Sequence, residues 1–481
     1  MSQGARPNVV LITTDQQRYD TLGCNGAEMV RTPVLDAIAA EGVRFERPYV
    51  NNPVCIPSRA CIQTGRYTHQ HGVRYMENRV NDTPGLPMWE TTFMEYLQAN
   101  GYRTCGTGKL HMFPPKGLDV AHLTNGQGAR WTTPYGSPYG PAQLGDDYAA
   151  WLEAKRPGAY AQIYEQRRSE EYKRYMSAVT SVLSTDETVD YWAMEKAIEF
   201  IEDSKDQPFF LWLGFCNPHG PVDAPAEYAT MYDPAQIELS EKAKRGSPSG
   251  RRIDPGLLRR WIAHYWGLCT MLDDLTGKVV DTLKRLGLWE NTLFIFTSDH
   301  GEMMGDFGRF GKANFYEPVI RVPLIVKPPA GSQGAGRGED AGGSAAGPGQ
   351  RRWRPGAVVS DLVELIDIAP TILDYAGARI PSSIQGRSLR TALEGGSHGK
   401  EAILCEYTSN NQDRHGKCLR TERYKFVYWA PSGERELYDL QEDPDEFNNL
   451  ANDRAYAALR MEMQDRLLDH LAMTERPILA R

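Results

Sequence analysis

Two apolar runs in this chain end on side chains able to hold a cation. Run 7–14 closes on Asp15 and Gln16, and run 291–297 leads to Asp299 and His300. Two carboxylates, an amide oxygen and an imidazole suit a divalent cation, provided both runs are central strands whose tips meet on one side of a sheet. One such Asp would be read as the start of a turn. Two, each closing a buried run and each followed by a coordinating side chain, favour a metal centre. Between them in sequence lies Pro53-Val54-Cys55-Ile56-Pro57-Ser58-Arg59-Ala60-Cys61-Ile62-Gln63-Thr64-Gly65. Proline is well tolerated as a first helical residue, so a helix is expected to begin at Pro57 with Cys55 just ahead of it. A helix N-terminus carries free N–H groups and partial positive charge, which favour an anion or a low-pKa thiolate, and Arg59 adds a fixed cationic fork. The competing reading is an ordinary buried cysteine.

The elements that would position these groups alternate in type. Strands are expected at 7–14, 43–50, 102–107, 208–215, 291–297 and 323–327. Helices are expected at 32–40, at 91–100 (stopped by Gly101), at 189–201 and, as one or two pieces, at 257–286. Strands separated by helices predict an α/β fold, a large mostly parallel sheet with helices on both faces, whose site lies at the carboxyl ends of the strands. Segment 330–356 interrupts this with Gly, Ala and Ser and reads as a flexible insertion. A helix at 366–375 follows. The texture then changes to alternating strands at 402–407, 417–429 and 435–440 and a helix at 454–471. The expected division is a catalytic α/β domain, 1–375, and a smaller C-terminal α+β subdomain, 376–481, with an antiparallel sheet.

The chain has 481 residues, with 54 Lys and Arg against 62 Asp and Glu, a formal charge of −8. That balance argues against a nucleic-acid binder but leaves room for a local basic cluster around an anionic substrate. No apolar run approaches bilayer length, and the run near the N-terminus is too short for a signal-peptide core, so no membrane association and a cytoplasmic location are expected. Eight cysteines without framework spacing do not organise the fold through disulfides. Gly106-Thr107-Gly108-Lys109 lacks the remainder of a phosphate loop, and Gly395-Gly396-Ser397-His398-Gly399 follows a helix pattern rather than the strand a nucleophile elbow needs.

Cys55-x-Pro57-Ser58-Arg59, continuing to Thr64-Gly65-Arg66, resembles the signature of the sulfatase family in the alkaline-phosphatase superfamily. Gly101-Tyr102-Arg103-Thr104 followed by Gly108-Lys109-Leu110-His111 resembles that family's second signature. Further segments fit in order: 8–15, Asn217-Pro218-His219-Gly220-Pro221, Thr297-Ser298-Asp299-His300-Gly301-Glu302, 311–323, Ile384 to Leu389 and Leu437 to Leu440. Asp15-Gln16 and Asp299-His300, in place of the commoner Asp-Asp and Asp-Asn, resemble the branch of choline sulfatases and phosphonate monoester hydrolases.

The resemblance implies a metal-dependent sulfuric ester hydrolase. Cys55 would be oxidised to formylglycine by a separate enzyme, and its hydrate would attack sulfur to give a covalent sulfate hemiacetal. Asp15, Gln16, Asp299, His300 and the converted Cys55 would hold one cation, calcium in first place and manganese or magnesium as alternatives. Arg59 would orient the nucleophile, Lys109, His111 and Lys312 would grip the sulfate oxygens or assist release, and His219 would protonate the leaving group. The pocket asparagine of the family falls nearest Asn78, and aromatic residues between Trp131 and Tyr175 either line the substrate pocket or cover the core. The expected partners are a small-molecule or saccharide sulfate ester and, transiently, the formylglycine-generating enzyme, with a homo-oligomer left open. The alternatives are a phosphonate monoester or phosphodiester hydrolase using the same site and, in a different class, a non-catalytic binding protein with Cys55 unconverted.

Overall fold

The computed structural model describes residues 6–75, 85–112, 115–124, 147–247, 250, 252–330, 353–409, 411 and 413–475. Most of segment 330–356, Asn78 and the aromatic residues up to position 146 lie outside the described residues.

Eight strands form the large sheet: β1 (Asn8–Asp15), β2 (Val43–Tyr49), β3 (Arg103–Gly108), β4 (Val120–Leu123), β5 (Phe209–Pro218), β6 (Thr292–Ser298), β7 (Leu324–Lys327) and β8 (Ala357–Glu364). Their order is β4-β3-β5-β1-β6-β7-β2-β8. Every pairing is parallel except those of β7, which runs antiparallel to both β6 and β2. The three central strands β5, β1 and β6 are buried along their whole length, as continuous apolar runs between two helical layers require. Alternate residues of β1 feed opposite cores: Val10 and Ile12 pack on one face, Val9 and Leu11 on the other.

Several sequence expectations need correction. Strands β4 and β8 were not expected. The 257–286 pattern, expected as one or two pieces, is one helix as allowed, Pro255–Arg285, started by the Asp254 side chain, which accepts from Leu257 N at 2.8 Å. Segment 417–429 is two strands, not one: β10 (His415–Thr421) and β11 (Tyr424–Ala430). The turn between them contains no Gly, Pro or Asn, and the Thr421 hydroxyl closes it by bonding both the N–H and the C=O of Tyr424. Trp353, at the end of the expected insertion, is buried in the core.

The second sheet is antiparallel throughout, in the order β12-β11-β10-β9, with β9 at Ala402–Thr408 and β12 at Glu434–Asp439. The helix Ala457–Thr474 covers one face of it through Met463 and Leu467. This sheet is tied to the first by Glu406 N donating to Asn51 O (2.9 Å) and by Lys425 Nζ donating to Phe315 O (2.7 Å).

Where β3 meets β5 the backbones approach too closely for side chains. Gly108 has φ +78°, and a Cβ there would run into the Gly214 carbonyl, the same carbonyl that accepts from Lys109 N at 2.7 Å. Gly108→Ala therefore combines left-handed strain with overpacking and is expected to destabilise the fold by about 2–4 kcal/mol in urea denaturation.

Candidate active site

The sheet order places the functional groups side by side. Thr14 of β1 pairs with Ser298 of β6, so Asp15 and Asp299 leave adjacent parallel strands at the same level. On the other flank Asp15 pairs with Pro218 of β5, the residue before His219, and one strand further out β3 ends at Gly108, the residue before Lys109. Four neighbouring strand tips thus deliver Lys109, His219, Asp15 and Asp299 to one edge, as sheets of this class require.

The signature helix runs Cys55–Thr64, and all ten residues are buried. Cys55 is itself its first residue, and Pro57 the third, which corrects the expected start. Proline is harmless there because N–H groups of a first turn have no intrahelical acceptor. Ser58 Oγ donates to Asp299 O at 2.6 Å and pins the helix onto the tip of β6. Arg59, also buried, reaches beneath both carboxylates: its Nε lies 2.8 Å from Asp299 Oδ2 and its Nη2 3.5 Å from Asp15 Oδ2. It also donates to Thr13 Oγ1 and to the Lys109 carbonyl.

Ligand atoms of Asp15, Cys55, Asp299 and His300 lie within 4.8 Å of one another, all buried. His300 Nδ1 faces the Gly301 carbonyl at 2.9 Å. A carbonyl only accepts, so Nδ1 carries the hydrogen and Nε2 keeps its lone pair, as a metal ligand needs. That Nε2 stands 3.1 Å from Cys55 Sγ and 3.5 Å from Asp299 Oδ1. The Gln16 amide oxygen is buried and has no hydrogen-bond partner among the described residues. Two carboxylates, a preoriented imidazole and an orphaned amide oxygen fit a divalent cation with oxygen and nitrogen ligands.

Around this anionic cluster stand the remaining expected residues. Lys109 Nζ is 2.5 Å from Asp15 Oδ2, and Lys312 Nζ is 2.6 Å from Cys55 Sγ and 3.9 Å from Asp15 Oδ1. His111 is buried with φ +51°, and its Nδ1 lacks a hydrogen-bond partner among the described residues. His219 bonds the Gly220 carbonyl through Nδ1 at 2.6 Å and interacts with Cys55, Lys312 and Lys109. Among the described residues, the expected metal ligands, Arg59, Lys109, His111, His219 and Lys312 therefore fall in one cluster, and Asn78 lies outside the described residues. Outside it, His69 pairs with Glu406 and His71 with Cys61, both structural contacts. Of the described aromatics of the 131–175 stretch, Tyr148 packs against both Trp151 and Trp192 and also lines a small cavity with Arg167 and Asn217.

Asp190 had no sequence signal beyond an acidic residue near a helix start. It is buried on the helix Val189–Ser204 and accepts from the N–H groups of Cys216 and Asn217 and from the Asn217 side chain, fixing the turn that carries His219. Burial raises its carboxyl to about 6 against those hydrogen bonds.

The electrostatics follow from the charge count. Burial alone would raise the Asp15 carboxyl, but Lys109, His219, Lys312 and Arg59 together hold it well below the usual range. Burial pulls Lys109 down, and Asp15 more than restores it, so the ammonium is held above its ordinary value. The histidines go the other way. Burial pushes His300 down to about 4. His111 is driven far down by burial and by Lys109, and His219 is lowered by burial and by Lys312 and Lys109. Asp15 is thus held towards its ionised form, Lys109 towards its charged form, and the three imidazoles towards their neutral form.

Arg59→Leu leaves two buried carboxylates short of their counter-charge and is expected to destabilise the fold by roughly 3–5 kcal/mol at pH 7. Asp15 has a depressed folded pKa, so its contribution is full above the unfolded carboxyl value of 3.8 and is lost as pH falls towards the folded value. The gap between wild type and variant in urea denaturation should therefore narrow below about pH 4.

Residues 7–378 match the family described as Sulfatase, and residues 349–473 match a C-terminal family described as N-sulphoglucosamine sulphohydrolase, C-terminal. The chain is 31% identical over 471 residues to an arylsulfatase of Clostridium perfringens, covering 94% of this chain and 91% of the relative. It is 27% identical to a choline-sulfatase of Rhizobium meliloti, covering 93% and 82%. Among solved structures it resembles a phosphonate monoester hydrolase of Agrobacterium radiobacter, with a TM-score of 0.77 at 25% identity over 98% of this chain and 96% of that one. Family match, relatives and the buried Asp–Cys–His cluster agree: this chain belongs to the sulfatase family of the alkaline-phosphatase superfamily and is a sulfuric ester hydrolase.

Proposed function

We propose that the protein hydrolyses a sulfate monoester of a small molecule or saccharide, using a formylglycine made from Cys55. The observation that carries this reading is the position of Cys55: its sulfur lies among Asp15, Asp299 and His300, with Lys312 Nζ 2.6 Å away. A cysteine kept only for packing would not be surrounded by four ionisable groups. The same reading divides the chain into a catalytic part, 1–375, and a smaller C-terminal part, 376–481.

In this reading Asp15, Gln16, Asp299, His300 and the converted Cys55 hold one divalent cation, calcium first. When bound, the cation supplies Lewis-acid polarisation of the nucleophile and neutralises charge on the transferring group. Lys109, Lys312 and His111 receive the sulfate oxygens, in a water-poor setting where each contact counts for more. Arg59 holds the carboxylates and the helix end in register. One hydroxyl oxygen of the formylglycine hydrate attacks sulfur as the ester S–O bond breaks, its proton passing to Asp15 Oδ1, which lies 3.7 Å from the Cys55 sulfur. His219 Nε2 gives its proton to the departing alkoxide. His219 Nε2, now unprotonated, takes the proton of the second hydroxyl, the aldehyde C=O reforms, and the bond from carbon to the sulfate-bearing oxygen breaks, releasing sulfate, which leaves with the proton held on Asp15 as hydrogen sulfate. Water rehydrates the aldehyde. The net reaction is ester plus water to alcohol plus hydrogen sulfate.

A second reading, hydrolysis of phosphonate monoesters or phosphodiesters at the same site, is favoured by one observation. Asp15-Gln16 and Asp299-His300 supply an amide and an imidazole where two further acidic or amide groups are common. A panel of aryl sulfates, phosphodiesters and phosphonate monoesters, with calcium or manganese, separates the two. Sulfate monoesters should show the largest kcat/KM. No hydrolysis of any sulfate ester by protein whose intact mass shows converted Cys55 would overturn the first reading, and Cys55→Ala should abolish turnover of every ester.

His219 as the proton donor makes a further prediction. Its Nδ1 is committed to the Gly220 carbonyl, so the donated proton sits on Nε2 and is present only in the imidazolium. Since His219 is lowered from 6.5, kcat/KM for alkyl sulfates should fall as pH rises above that depressed value. His219→Ala should reduce alkyl sulfate hydrolysis by about 10²–10⁴-fold and nitrophenyl sulfate hydrolysis much less, because a good leaving group needs no proton.

A further inference from the structure

Gln16 is held from three sides. Its backbone is left-handed, φ +68°, an uncommon state for a residue with a side chain. Its N–H donates to Asp299 Oδ1 at 3.1 Å, and its carbonyl accepts from Tyr265 Oη at 2.6 Å. The third restraint acts on the amide itself: Gln16 Nε2 donates to Glu302 Oε2. Glu302 is buried, and its other oxygen accepts from Met304 N at 3.0 Å and from Gly311 N.

A carboxylate surrounded by N–H donors can only accept. It therefore selects the NH2 end of the facing amide and turns the carbonyl end away from itself. The carbonyl end, Gln16 Oε1, is the buried oxygen that has no partner among the described residues. An amide that presented NH2 instead would place two N–H dipoles against a cation. We propose that Glu302 is the positioning residue for the metal site: it fixes the rotamer and the flip of the Gln16 amide so that its oxygen, not its nitrogen, is offered to the cation. The proposal rests on the metal-site reading given above and assigns a role to a residue that touches neither substrate nor cation.

The test is an exchange of the two groups, read as calcium and manganese binding to chelator-treated protein by titration calorimetry, which is independent of turnover. In Glu302→Gln, the new amide must still accept from Met304 N and Gly311 N, so it turns its own NH2 towards Gln16. That forces the Gln16 amide to flip and present nitrogen to the site. The cation Kd is expected to rise about 10–100-fold with the far-UV circular dichroism unchanged. In the exchanged pair Gln16→Glu with Glu302→Gln, the carboxylate accepts from the new amide and still presents an oxygen to the cation. Its Kd is expected to return to within about threefold of the unsubstituted protein or below it. A merely structural role for Glu302 would not be repaired by moving its charge to position 16. Equal binding by Glu302→Gln and the unsubstituted protein would overturn the proposal alone. An unsubstituted protein that binds neither cation would remove the metal-site reading and this proposal with it. Should Glu302→Gln fail to fold, the exchanged pair decides: cation binding within threefold supports the assignment, and failure to fold or bind overturns it.

Discussion

The rest of the site depends on one buried charge balance. Asp15 and Asp299 lie at the tips of adjacent strands with no access to solvent, and Arg59 spans them from beneath. Ionised carboxylates held out of water are tolerated only when counter-charges and hydrogen bonds replace their hydration. Arg59 alone does not complete the balance, and Lys109 and Lys312 crowd in on Asp15 from the open side. Each lysine is there because Asp15 is, and Asp15 stays ionised because they are. A guanidinium is suited to the lower position: it remains charged when dry, and its fork reaches both carboxylates at once. The lysines are point charges on flexible stems, suited to transferring their attention to an incoming anion.

This arrangement requires a parallel sheet with its most apolar strands in the middle. In β5, β1 and β6 the side chains are dry on both faces and the ladders are continuous except near the end of β5, where residues 215–217 bulge and Asp190 takes up two of the freed N–H groups, so the strand tips still arrive side by side. Polar groups at those ends inherit that placement. The elements that follow are then bound to the tips by local contacts: Ser58 to Asp299, Asp190 to the Cys216–Asn217 turn, and Glu302 to Gly311, the residue before Lys312. The C-terminal sheet joins in. Lys425 is buried on β11, donates to the Phe315 carbonyl and pairs with Glu317, and so holds the stretch just past Lys312 from the far side.

Asp15-Gln16 and Asp299-His300 were legible as the ends of two apolar runs, whereas Lys109, His111, His219 and Lys312 were legible only through short motifs that resemble those of a known family. Lys109 follows Gly108, and the glycine is required by the approach of two backbones. Other parts were hidden for physical reasons. β4 has four residues and includes a half-exposed His122, too short and too polar to stand out from loop. β8 is half exposed at its start and buried only in its last three residues, so Ser360 and Asp361 break its pattern. The β10–β11 turn contains no Gly, Pro or Asn; Thr421 supplies the closure instead, so two strands read as one. Asp190 was invisible because its function is spatial: nothing in its helix indicates that two N–H groups more than twenty residues away need an acceptor.

The choice of Gln16 over a second acid has a consequence for substrate charge. In formal charge, Asp15, Asp299 and Glu302, the buried acid bonded to Gln16, balance Arg59, Lys109 and Lys312. A divalent cation would leave the site two positive charges in excess. Another carboxylate at position 16 would cancel part of it, whereas an amide supplies a ligand oxygen without charge. The resulting field favours compact anions in general, a sulfate monoester or a phosphorus monoanion alike, because both place one full negative charge over their peripheral oxygens. In the proposed mechanism, preference between the two then comes from groups that act on shape and on the leaving atom, with His111 and Lys109 beside the anion and His219 facing the bond that breaks. In that mechanism the site's charge selects a class of ester, and His111 and His219 select within that class.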